Sequence, residues 1–171
     1  MVSIELLTEN NFTESLLDSY KRRQDVKMVY RRKNNKYVLV EQPFVEDWDL
    51  EQRRQIAKKI YSDKYITYIA IKDKQVVGFI GLLKQLVDER MILDMMQVSA
   101  ECRGIGIGRK LFEIGKNVAL KSGAKELYIS ACSSEETIAF YMAMGAEITD
   151  NPIKQLADDE PFDLQMICKI V

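Results

Sequence analysis

The chain has 171 residues, 47% hydrophobic and 30% charged, with a net charge of -1. That fits one globular domain with a core that needs no metal or disulfide, and it gives no reason to expect a nucleic-acid or anionic-membrane partner. The cysteines Cys102, Cys132 and Cys168 form neither a disulfide framework nor a zinc spacing. There is no histidine, which excludes Ser-His-Asp and Cys-His mechanisms and leaves base chemistry to carboxylates, tyrosine, lysine, cysteine or water. The first residues lack a signal-peptide layout, and no apolar run approaches the ~18 residues of a membrane span, so a cytoplasmic location is expected.

In chain order, Ile4–Leu7 reads as a short strand. Leu16, Leu17 and Tyr20 recur at helical spacing and predict a helix over 13–24. Val26–Arg32 and Lys36–Glu41 read as two strands joined at Asn34-Asn35, a good turn pair. A helix is expected over 49–61, capped by Asp49. Tyr65–Ile71 and Gln75–Leu83 form a hairpin pattern around Asp73-Lys74, followed by a strand over 91–98. Ile107, Leu111, Ile114 and Val118 mark the core face of a helix over 107–121. A strand over 126–131, a helix over 135–144 and strands over 146–149 and 162–170 complete the chain. Antiparallel strands followed by a strand-helix-strand-helix unit predict an α+β, or mixed α/β, three-layer domain with one parallel step.

The segment Arg103-Gly104-Ile105-Gly106-Ile107-Gly108-Arg109 joins a strand to an amphipathic helix. Glycines admit positive φ and close approach, and the first amides of a helix lack intrahelical partners. Together with the helix dipole they make an anion site suited to a pyrophosphate, to which Arg103 and Arg109 could add charge. The GxGxxG dinucleotide and GxxxxGK[ST] triphosphate patterns are both absent. A turn of this kind without a ligand is the alternative.

Val98 followed by Arg103-Gly104-Ile105-Gly106-Ile107-Gly108-Arg109-Lys110-Leu111 resembles the acetyl-CoA signature of the GNAT N-acetyltransferase superfamily, [RQ]xxGx[GA]. Ser134 to Glu147, with Phe140-Tyr141 and Gly145-Ala146, is similar to the family's second signature, FYxxxG[FA]. The resemblance covers about 65–171, best over 91–148. Residues 1–60 would form the substrate-side part of a single domain. It implies a mostly antiparallel central sheet flanked by helices and acetyl-CoA as acyl donor without a metal. It also implies direct attack by a primary amine of a small molecule or peptide. Tyr141 would be the general acid, Met96, Gln97 and Val98 would line the thioester, and the turn from Arg103 to Arg109 would hold the pyrophosphate. Family members often carry Asn at position 134 and Ala at 137, so Ser134 is expected to cap its helix or to contact the cofactor.

An acidic residue is frequent at the position of Asp94, the first candidate for the base, and alternation would put Asp94, Met96 and Val98 on one face. A carboxylate paired to a lysine is an equal reading of Asp94. Cys132 reads by default as a small buried hydrophobe. Trp48 and its acidic neighbours could receive a cationic amine or form a solvated loop. The final strand, 162–170, offers an edge on which a homodimer could pair. A non-catalytic acyl-CoA sensor is the alternative function.

Overall fold

The computed structural model describes residues 1–170. Nine strands and four helices follow one another as β1 (Ser3–Leu6), β2 (Gln24–Lys33), β3 (Lys36–Glu46), α1 (Leu50–Tyr61), β4 (Tyr65–Lys72), β5 (Gln75–Leu83), β6 (Arg90–Val98), α2 (Ile107–Lys121), β7 (Glu126–Ala131), α3 (Glu135–Ala143), β8 (Glu147–Ile148), α4 (Lys154–Asp159) and β9 (Leu164–Lys169). Seven strands form one sheet in the order β1-β4-β5-β6-β7-β9-β8, and β2 and β3 pair separately as a hairpin. Every neighbouring pair of the sheet is antiparallel except β6 and β7. This is the mixed architecture that the order of the elements predicts.

The local chemistry explains most boundaries. Asp49 caps α1 through a reciprocal capping box with Gln52. Asn34-Asn35 and Asp73-Lys74 both take positive φ, as tight hairpin turns require. The predicted helix over 13–24 does not form. Isolated i to i+3 turns run there instead, from Thr13 to Leu16, Ser15 to Asp18 and Leu17 to Tyr20. The stretch holds Thr13, Ser15, Asp18 and Ser19, residue types whose side chains compete for the backbone, and just before it Asn11 accepts from the amide of Thr8. Leu17 and Tyr20 are nonetheless buried, so the apolar spacing reported burial rather than helix. Helix α4 follows Pro152 and carries Lys154–Asp158 and Gln155–Asp159 pairs at i,i+4. Its apolar signal is too short to stand out in sequence.

The sheet has two covered faces. On one, α2 and α3 pack Ile107, Leu111, Phe112, Ile138 and Tyr141 against Ile80, Leu82, Met91, Leu93, Leu127 and Met166. On the other, the turns before β2 and helix α1 bury Leu17, Tyr20, Ala57 and Ile60 against Ile69 and Phe79. Beside them Ile92, Tyr128 and Ile167 meet Ile153 and Leu156. Strand β9 lies between β7 and β8. The edge on which a homodimer could pair is therefore occupied by β8 at Met166 and Ile167.

Helix α2 approaches β5 closely at Gly115, where an added Cβ would sit 2.7 Å from Cδ1 of the fully buried Ile80. Gly115→Val should overpack this contact and cost about 1–3 kcal/mol. Denaturant unfolding should show a lower midpoint at unchanged slope; an unchanged midpoint would mean that α2 can lift off β5 freely.

Candidate active site

The site begins where the one parallel pair ends. Strands β6 and β7 stay in register from Arg90 and Glu126 to Leu93 and Ile129 and then part, although β6 continues to Val98 along β5 and β7 to Ala131. Beyond Leu93 the backbone of β6 therefore has no strand partner on its β7 side. A cavity of about 720 Å³ opens into this gap, lined by Asp94 to Val98 from β6, the glycine turn, Ser130 to Cys132 and the inner side of α3.

A bulge shapes the wall of β6. Gly81 pairs with Met95 but Leu82 pairs with Leu93, so Asp94 is the extra residue. Asp94 and Met95 both turn to the α1 face, where Met95 packs with the core around Phe79 and Asp94 meets Lys59 and Tyr65. Met96 and Val98 stay on the α2 face. The alternation that put Asp94, Met96 and Val98 together is thus broken by one inserted residue.

The glycine turn is open. Gly104 and Gly106 have φ of 82° and 92°, and nothing lies within 4 Å of where a Cβ would stand. Gly106 is the N-cap of α2, and the first turn holds no acidic residue. The early amides of α2 therefore meet the cavity without a competing carboxylate. Gly108 is small for a different reason. A Cβ there would press on the Phe140 ring at 3.2 Å, so it lets α2 and α3 converge. Ile105 is 61% exposed and does not line the cavity.

Helix α3 brings Tyr141 in from the α2 side. Ser134 caps α3 through Thr137, and Gly145 ends it with φ of 94° while Ala146 N donates to Tyr141 O at 2.9 Å. Tyr141 is only 6% exposed yet lines the cavity. Its half-buried neighbour Phe140 lines it too. Burial, with Cys132 and Asp163 nearby, raises the Tyr141 pKa and keeps the phenol protonated. Ser134 is fully buried, bonded to Thr137 and Gln24, and outside the cavity lining. Of its two expected roles, capping is the one the structure shows.

The α1 face carries the cavity's free acid chemistry. Asp94 Oδ2 accepts from Tyr65 Oη at 2.7 Å and lies 3.3 Å from Lys59 Nζ. The same cavity is lined by Asp163, just before β9, which sequence reading missed because nothing local marks it. Burial pushes its carboxyl from 3.8 up to about 6, opposed by a hydrogen bond from Ser130 and aided by Glu160. Ser130 Oγ donates to Asp163 at 3.0 Å and accepts from Gln165 Nε2 at 2.9 Å; Gln165 Oε1 in turn accepts from Tyr128 Oη. Cys132 also lines the cavity, but it is exposed and so is not the buried small hydrophobe expected of it; desolvation in the cavity wall still raises its thiol pKa, which disfavours a thiolate nucleophile. Among the described residues no cluster of His, Cys, Asp or Glu could hold a metal, and no helix is long and apolar enough to cross a membrane.

The model of the acetyltransferase (GNAT) family matches residues 29–146. The chain belongs to this family. Solved structures agree on the fold of this GNAT protein. Nourseothricin acetyltransferase is 16% identical, with 99% of each chain covered and a TM-score of 0.76. The ribosomal-protein-S18-alanine N-acetyltransferase from Escherichia coli is 14% identical, with 99% of this chain and 94% of that one covered and a TM-score of 0.61. An aminoglycoside 6'-N-acetyltransferase complexed with coenzyme A is 17% identical, with 70% and 80% covered and a TM-score of 0.56. No curated protein matches in sequence.

Within the GNAT turn, Arg103 is not free to serve an anion. Its Nε donates to Val98 O at 3.0 Å, Nη1 to Arg23 O at 2.8 Å and Nη2 to Arg22 O at 2.9 Å. This fork ties the end of β6 to the segment that roofs the gap. Arg109 lines the cavity and has no such commitment. Arg103→Lys keeps the charge but cannot span three carbonyls. It should speed hydrogen exchange over residues 21–25 and lower stability by about 1–3 kcal/mol; protection like the parent's would show that charge alone suffices.

Proposed function

We propose that this protein transfers an acetyl group from acetyl-CoA to an amine by direct attack, with residues 1–60 forming the acceptor side of one domain. The observation that carries this reading is that an acid-free helix N-terminus and an unpaired stretch of parallel strand open into one cavity. The amides from Gly104 to Arg109, with the Arg109 side chain, would hold the pyrophosphate. The open space over Gly104 and Gly106 suits that approach. The free edge of Met96, Gln97 and Val98 would pair with the pantetheine amides as an added strand and supply a backbone amide to the developing oxyanion. Bound acetyl-CoA supplies the activated acyl group; the protein supplies orientation and protons.

Tyr141 would give its proton to the departing thiolate. On the α1 face two carboxylates flank the approach of the amine. Asp94 has one oxygen occupied by Tyr65 and Lys59, and we assign it to holding the ammonium. Asp163 meets only Ser130 by hydrogen bond and is raised to about 6, which suits proton removal near neutral pH. A proton donor and a matched acceptor facing one cavity favour turnover over a non-catalytic acyl-CoA sensor.

If Asp163 is the base, kcat/KM should rise with pH through about 6 as its carboxyl ionises. Asp163→Asn should remove that limb and lower kcat by roughly 10²–10⁴-fold, whereas Tyr141→Phe should lower kcat with acetyl-CoA affinity retained. The folded pKa lies above the usual 3.8, so the folded state binds the proton more tightly. Stability from this group is therefore present at low pH and lost as pH rises through about 6. Asp163→Asn should accordingly raise the melting temperature at pH 8. A parental pH profile in Asp163→Asn would move the base elsewhere.

A further inference from the structure

The roof of the cavity holds a cation that the protein leaves without a counter-ion. Arg22 is only 7% exposed and lines the cavity. Its one side-chain partner is neutral: Nη1 donates to Gln24 Oε1 at 3.1 Å. Its Nε is sealed without any partner, and among the described residues no carboxylate stands within ion-pair distance. Arg90, comparably buried and with its own Nε unpartnered, differs in its charge balance, since it has a backbone carbonyl from Asn151 and the carboxylate of Asp88. A buried charge without an opposite charge is costly, and the open cavity is where a counter-ion can enter.

Arg22 is also held in place. Its guanidinium lies over the Trp48 ring, 5.7 Å from the centroid, and Trp48 packs against Tyr20 and Phe79. Its carbonyl is gripped by Arg103. The packing with Trp48 puts the side chain on the α1 face, whereas the helix α2 lies on the other face. A charge there is placed for the acceptor rather than for the pyrophosphate. Arg22, Asp94 and Asp163 line the same cavity, so one small molecule there can meet both signs of charge.

We infer that the acceptor is an amino carboxylate, with its carboxylate on Arg22 and its amine between Asp94 and Asp163. The inference rests on the acetyl-transfer reading and narrows it. The ammonium gives one proton to Asp163, and the amine nitrogen forms a bond to the acyl carbon as the carbon–sulfur bond breaks. The thiolate takes the Tyr141 proton, Tyr141 recovers one from the surplus proton of the nitrogen, and Asp163 returns its proton to solvent. The product is a neutral amide that keeps its carboxylate. Its hold on Asp94 and Asp163 goes with the ammonium charge, which favours release.

The test uses matched acceptors with saturating acetyl-CoA, scored by CoA release: glycine against methylamine, γ-aminobutyrate against n-propylamine, and L-lysine against cadaverine. In at least one pair the amino carboxylate should be preferred about tenfold or more in kcat/KM, as a charge-assisted contact to a buried guanidinium allows. Arg22→Gln should bring that acceptor down to the level of its carboxylate-free partner, and Arg22→Lys should restore part of the preference. Calorimetric affinity for acetyl-CoA reports separately on each variant's folded cofactor site. Equal or better use of the carboxylate-free amines overturns the inference, as does the absence of acetylation of any amino carboxylate by protein that binds acetyl-CoA. If Arg22→Gln weakens acetyl-CoA instead, Arg22 serves the cofactor and the inference fails. If the parent protein does not bind acetyl-CoA at all, the underlying reading falls first.

Discussion

Two parallel strands lose their pairing at Leu93 and Ile129, and the whole site is arranged around that loss. Unpaired backbone amides and carbonyls inside a protein are costly unless something else satisfies them. Here the unpaired stretch of β6 runs along a cavity and ends at the start of α2, where amides are again unpartnered. The protein thus concentrates unmet backbone hydrogen-bonding capacity along one continuous line. A long ligand with amides at one end and phosphates at the other complements that line without needing many side chains. The bulge at Asp94 belongs to the same device, because it turns an acidic side chain to the acceptor face while Met96 and Val98 keep the cofactor wall apolar.

Charge is divided between the faces of the sheet. The α2 side presents helix amides, Arg109 and a protonated Tyr141. The α1 side presents Asp94, Asp163 and Arg22. Both sets of groups open into the one cavity, where Asp163 also helps to raise the Tyr141 pKa. The segment from Lys21 to Gln24 closes the arrangement. It is fixed to the end of β6 by Arg103 and by bonds to Ser99 and Ala100, and reaches α3 through Gln24 and Ser134. A half-buried carboxylate with a raised pKa and a buried arginine without a counter-ion both cost stability, the expected mark of groups kept for a ligand rather than for folding.

What could be read from the sequence was what local chemistry determines. The spacing of Ile107, Leu111, Ile114 and Val118 gave α2 its bounds, and Gly104, Gly106 and Gly145 marked left-handed turns that only the backbone dictates. Asp49, Ser134 and the turn pairs were legible for the same reason. What stayed hidden depends on contacts distant in sequence. The bulge that flips Asp94 arises from pairing with β5, and no alternation rule contains it. Arg103 looked like a phosphate ligand beside its glycines, but its fork is filled by carbonyls some 80 positions earlier. Asp163 and Arg22 lie in unremarkable polar stretches and acquire their character only from burial. The failed helix over 13–24 shows the converse, because its apolar spacing was real while its backbone closes only isolated turns.

The central claim is that the gap between β6 and β7 and the N-terminus of α2 together hold one cofactor. Calorimetric titration of the parent and of Gly106→Glu with acetyl-CoA, CoA and ATP tests it most directly. The account predicts binding of acetyl-CoA and CoA well above ATP, abolished by a glutamate that blocks the amides and repels the pyrophosphate. Binding of ATP in preference to CoA, or acetyl-CoA affinity unchanged in Gly106→Glu, would contradict it.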